Sequence, residues 1–96
     1  MKNTGIELVA IERQKQIEKH GFTGEHHFNN PQWYDKGQLV EAANTLSMPI
    51  IKQCLVPVNW DIDWFKRLCE KEYSERLIIS AALIVSEIDR INFSNP

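Results

Sequence analysis

Residues 71–92 impose the strongest constraint in the chain. Tyr73, Leu77, Ala81, Ile84, Ile88 and Ile91 recur every three or four positions, flanked by Ile78 and Val85. This is the period of an α-helix with an apolar face, and it runs too long for a strand. Such a helix has to be covered, which predicts that it is the central hydrophobic partner of whatever else folds. A chain of 96 residues has room for one modest core. One helical domain over residues 1–96 is therefore expected. The most apolar run, residues 77–85, is broken by Ser80 and far too short to span a bilayer, so no membrane partner is expected.

Two further helices have start and stop signals. Thr4-Gly5-Ile6-Glu7 has the form of a capping box, and Gly21 stands where a left-handed closing residue belongs. Between them Ile6, Val9, Ala10, Arg13, Ile17 and His20 share a face, whose first half is expected to be core and whose Ile17 should receive Phe22. Asp35, with Gln38 three residues on, predicts a helix over 36–47 that buries Leu39, Val40, Ala43 and Leu46 and stops before Pro49. Gly24 and Asn29-Asn30-Pro31 mark residues 23–34 as a loop. Residues 48–58, with two prolines, predict an irregular crossing. Asn59 or Asp61 then caps a short aromatic helix reaching Cys69. The expected fold is all-α: a small bundle of three main helices, a short aromatic-rich helix or turn, and two long loops.

Composition removes some functions. A net charge of −2 and a pI near 5.9, with Lys and Arg scattered singly, argue against a nucleic-acid binder. Cys54 and Cys69 fit no metal or redox spacing and read as two buried thiols of a cytoplasmic protein; the N-terminus has no signal-type apolar region. Glu25, His26 and His27 are adjacent, and zinc needs three or four converging ligands, so neither metal nor cofactor is expected. Glu87 and Asp89 lie two apart, on different faces of their helix. Glu7, Glu12 and Glu18 do not share a face either, so the paired carboxylates of a MazG-type nucleotide pyrophosphohydrolase are missing.

What remains is a constellation of binding residues and no evident catalytic group. Arg13 and Gln16 are directional donors on a buried face near the end of the first helix. They either bond a loop or carboxylate inside the fold or form a fork of donors toward a ligand. His20 and His26 flank the glycine turn beyond them. Trp60, Asp61 and Trp64 sit in NWDIDWF, a segment with more rings than one helical turn buries easily, and indole faces stack on rings and accept cations. These seven residues are the candidate ligand site.

ERQKQIEKHGFTGEHH, GQLVEAA, NWDIDWFK and AALIVSEIDRI occur in the same order as motifs of a group of small phage and prophage proteins, and the chain resembles that group from residue 11 to residue 91. The group's pattern reads ERQRQ, GW, EHDD, GELA-AA, PWD-WW and AL-LAEIERL. His27 and Phe28 stand where the group has two aspartates, Gln38 replaces a glutamate and Ile79 a lysine. The resemblance implies a phage setting, acting in the cytoplasm of a bacterial host, rather than an activity. RQKQIEKHGFTGEHH, CLVPV and EKEYSERL are also similar to the ryanodine-receptor repeat domain, a helical module implying nucleotide-derived ligands, although the spacing here is longer.

Two main functions follow as expectations. One is a non-enzymatic protein that binds a nucleotide-like small molecule and sequesters a host defence signal. The other is a protein–protein inhibitor of a host enzyme, with an exposed tryptophan cluster as its hot spot. Self-association is also expected, from the many aromatics and few charges of residues 48–65.

Overall fold

The computed structural model describes residues 3–94. In chain order they form α1 (Gly5–His20), α2 (Gly24–Asn29), the single turn α3 (Pro31–Tyr34), α4 (Gln38–Leu46), α5 (Ile62–Cys69) and α6 (Tyr73–Ser94). Among the described residues there is no strand, and no helix is long and apolar enough to cross a membrane. This is the expected all-α bundle, with α1, α4 and α6 as its main helices and α5 as the aromatic one.

α1 begins and ends as its sequence predicts. Thr4 Oγ1 accepts from the Glu7 N–H at 3.3 Å, and the Glu7 carboxylate accepts from the Thr4 N–H at 2.9 Å. The second of these bonds lowers the pKa of Glu7. Gly21, at φ 67°, donates to the Ile17 carbonyl and Phe22 to that of Gln16, a Schellman ending. The packing of α1 differs from expectation. Ile6 is 85% exposed and Ala10 is exposed, so the first half of the stripe is not core; the buried side chains are Arg13 and Gln16. Arg13 Nε and Nη2 reach Asp89 Oδ2 at 3.0 and 2.8 Å, and Gln16 Oε1 accepts from Ser86 Oγ at 3.3 Å. Polar bonds to α6 fasten this helix where apolar contacts were anticipated.

The segment read as a loop, residues 23–34, is mostly helical. Thr23 Oγ1 caps α2 by accepting from the His26 N–H at 3.0 Å, and Pro31 opens α3, where its missing N–H costs nothing. Gly24, which suggested a break, is instead a point of close approach. A Cβ there would run into the Asp89 carbonyl of α6. Asp35 does not cap α4, because its own N–H still closes α3 on the Pro31 carbonyl at 3.0 Å. Gly37, at φ 78°, makes the turn, and the buried Gln38 side chain accepts from the Lys36 N–H at 2.7 Å.

Tyr34, Leu39, Ala42, Ala43, Leu46, Phe65, Ile79 and Leu83 form the core, on which Cys54, Val56, Trp60, Trp64, Leu68 and Cys69 pack. Val40, expected inside, is 38% exposed, and Ala42 takes its place. The larger correction concerns α6. Tyr73, Leu77, Ile84, Ile88 and Ile91 are each 40–50% exposed, while Arg76, Ile79, Ser80, Ala82, Leu83 and Ser86 are buried. α1, α2 and α4 all pack on α6. They take the face bearing Ser80, Ala82 and Ser86, whose small side chains let helix axes approach closely.

The irregular segment between α4 and α5 is held by one cation. Arg76, 6% exposed, donates from Nη1 to the carbonyls of Leu46 at 2.9 Å and Met48 at 2.6 Å. Its Nη2 reaches Pro49 O at 3.2 Å and its Nε reaches Lys71 O at 3.0 Å. The same segment brings Cys54 Sγ to 3.3 Å from Cys69 Sγ, a pairing that linear spacing did not suggest. Burial, and then the hydrogen bond with Cys54, push the Cys69 thiol up to about 12.

Two outcomes test this packing. Leu83→Ala should cost roughly 2–5 kcal/mol in urea unfolding, against about 1 kcal/mol for Thr4→Ala and no more than that for Ile84→Ala. The opposite order of Leu83 and Ile84 would mean that the other face of α6 is buried. Oxidised glutathione should close a Cys54–Cys69 disulfide slowly at neutral pH and faster in base, since the attacking species is the thiolate. Mass spectrometry would read the loss of two hydrogen atoms, absent in Cys54→Ser.

Candidate functional site

The rings of four segments converge beside the core. Asp61 caps α5, accepting from the Trp64 N–H at 2.7 Å, and so sets Trp64 and Phe65 on the first turn. Asn59 takes a left-handed φ of 70° just before it. Its amide donates to the Gln32 carbonyl at 2.9 Å, and Trp60 Nε1 donates to that of Trp33 at 2.7 Å. These two bonds fasten the α5 approach to α3. Trp60 then stands edge-on to Tyr34, Trp64 and Phe65 at centroid distances of 6.3, 6.0 and 6.1 Å. The turn after α1 supplies Phe22, edge-on to Trp64 at 6.5 Å and stacked on His26 at 5.8 Å with 17° between the planes. Phe22 therefore packs on rings from two other segments.

These rings enclose a cavity of about 410 Å³ lined by His20, Phe22, His26, Trp33, Tyr34, Leu39, Asn59, Trp60, Asp61, Trp64 and Leu83. Five of the seven predicted residues line it together: His20, His26, Trp60, Asp61 and Trp64. A second cavity of about 550 Å³ lies between α1, α5 and α6 and shares His20, Phe22, Trp64 and Leu83 with the first. Gln16 lines this second space, with Lys15 and Lys71. Arg13 lines neither, because its guanidinium is turned to Asp89. Tyr34 and Asn59 also line the aromatic cavity without having been singled out as site residues. Their signal was weak, since Pro31-Gln32-Trp33-Tyr34 reads as loop until Pro31 is recognised as a helix opener.

The polar groups of the aromatic cavity have defined roles. The Asn30 amide nitrogen donates to the His26 carbonyl at 2.7 Å and lies 3.3 Å from His26 Nδ1. His26 Nε2 faces Tyr34 Oη at 3.4 Å. Burial pushes the pKa of Tyr34 up to about 12, so the hydroxyl stays protonated. Among the described residues no group of three or more His, Cys, Asp and Glu side chains is placed to hold a metal ion.

Behind the cavity wall lies His27, fully buried, its ring 4.1 Å from that of Tyr34. Neither ring nitrogen has a hydrogen-bond partner among the described residues. Burial foremost, then the charges of Arg13, His26 and Arg90, push its pKa down to about 3. His27 is thus a neutral ring packed beside a cation.

No family model, curated protein or solved structure matches the chain.

The pH dependence of folding follows from His27. With a pKa of about 3 when folded and 6.5 as its ordinary value, only the unfolded chain takes up this proton between those limits. Its contribution is complete above pH 6.5 and declines as pH falls. From pH 7 to pH 5 it should remove about 2 kcal/mol of stability. Urea unfolding at both pH values should show this loss, and His27→Phe should largely abolish it.

Proposed function

We propose that the protein is a non-enzymatic binder of a small molecule with a flat ring, of the nucleotide-derived kind. The observation carrying this reading is the ring-walled cavity of about 410 Å³. Trp60, Trp64, Phe22 and Trp33 provide apolar and π surface, while Tyr34, His26 and Asn59 provide hydrogen bonds. The adjoining cavity, past Trp64, offers Lys15 and Lys71 to an anionic arm such as a phosphate. Arg13 drops out of the ligand set in this reading, and Gln16 serves the second cavity. Glu87 and Asp89, the carboxylates nearest to a catalytic pair, are each held by an arginine, Arg90 and Arg13. In the phage setting implied by the sequence resemblance, such a protein sequesters a host defence signal in the bacterial cytoplasm.

The alternative, an inhibitor that caps a host enzyme, draws on Ile50, Leu55, Val58 and Ile62, which are 48–77% exposed. The tryptophans that would be its hot spot line a concavity, and this favours the small molecule.

Native mass spectrometry against cyclic and ADP-ribose-type nucleotides tests the proposal. A bound nucleotide is expected, with Trp60→Ala weakening it about tenfold or more, the worth of one stacked base. Folded Arg13→Ala should leave affinity nearly unchanged. No binding across the panel, with a host protein retained in a pull-down, would favour the inhibitor. Turnover of a nucleoside triphosphate with magnesium would defeat both readings.

A further inference from the structure

α6 has two apolar sides, and the fold covers one of them. The other carries Tyr73, Leu77, Ala81, Ile84 and Ile88, which at about 100° per residue fall within a stripe of roughly 80°. The four large side chains are 40–50% exposed. The charged residues of the helix, Glu75, Arg76, Glu87, Asp89 and Arg90, all lie outside the stripe. Arg76 is bonded to carbonyls, Asp89 to Arg13 and Glu87 to Arg90. A continuous apolar helix face left this exposed marks a surface that a partner covers.

We propose that this face joins two copies of the chain, with their α6 helices crossing antiparallel about a two-fold axis between positions 82 and 83. The positions themselves argue for a second copy as the occupant. Antiparallel pairing about that point sets Leu77 opposite Ile88 of the other copy, and Ala81 opposite its Ile84. At the centre each copy offers a small residue where the other brings a large one, which makes the surface complementary to itself. The side chains of the stripe present on the order of 400 Å² per copy. With flanking Ser74 and Val85 the two copies approach the ~1,000 Å² at which specific interfaces begin. An interface of that size gives a reversible dimer. Residues 48–65, where self-association was expected, expose Ile50, Leu55, Val58 and Ile62 without any repeating geometry to pair. This dimer is independent of the ligand reading.

Sedimentation equilibrium from about 1 to 200 μM covers the affinities expected of so small an interface. The wild-type chain should show a monomer–dimer equilibrium. Ile84→Glu should shift it toward monomer by about 100-fold, with helical content unchanged because the site is at the surface. Ile50→Glu should leave it alone. If Ile84→Glu does not fold, methyl NMR of the wild-type chain gives the same answer through concentration-dependent shifts at Leu77, Ile84 and Ile88. A wild-type monomer over the whole range would overturn the proposal. So would dissociation by Ile50→Glu with Ile84→Glu still dimeric, or methyl shifts confined to Ile50 and Ile62.

Discussion

The guanidinium of Arg76 is the contact on which the arrangement of the other elements most depends. It is buried, and its partners are four backbone carbonyls: Leu46 at the end of α4, Met48 and Pro49 just beyond it, and Lys71 before α6. The end of α4 carries partial negative charge, and a planar fork of donors can serve several of its orphan carbonyls at once. Lysine has no such geometry. The interaction ends α4, turns the chain into the irregular segment and fixes where that segment starts. Because the segment leads to Asn59, Trp60 and the cap of α5, the position of the aromatic cavity follows from it.

A second buried arginine plays the corresponding part at the other end of α6. Arg13 on Asp89, with Gln16 on Ser86, ties α1 down through polar bonds, while Gly24 lets α2 come against the backbone at Asp89. His27 is enclosed between them and stays neutral, since a charged ring there would face Arg13 and Arg90 without solvent. Arg13, which looked suited to a ligand, turns its guanidinium to Asp89 of α6 instead, and the Gln16 side chain accepts there from Ser86.

The fold thereby separates two surfaces. The ring-lined concavity lies where the α1 turn, α3 and α5 meet. The uncharged face of α6 is convex and linear, and it suits another helix. Neither shares a residue with the other, so occupation of one leaves the other open.

Much of the local structure was legible in the chain because it depends on residues close in sequence. The Thr4 capping box, the Gly21 ending, the Asp61 cap and the existence of α1, α4, α5 and α6 needed only short-range hydrogen bonds and periodicity. The clustering of His20, His26, Trp60, Asp61 and Trp64 could be anticipated from an excess of rings and a glycine turn. Which face of α6 is buried could not be read in this way. Both faces are apolar enough, and the choice rests on the small residues Ser80, Ala82 and Ser86 fitting neighbours distant in sequence. The fate of Arg13 was open for the same reason, since its carboxylate lies 76 residues away. The meeting of Cys54 with Cys69 likewise depends on the path that Arg76 imposes. Period and capping determine where helices run; only close packing, which is decided between helices, determines which sides of them meet.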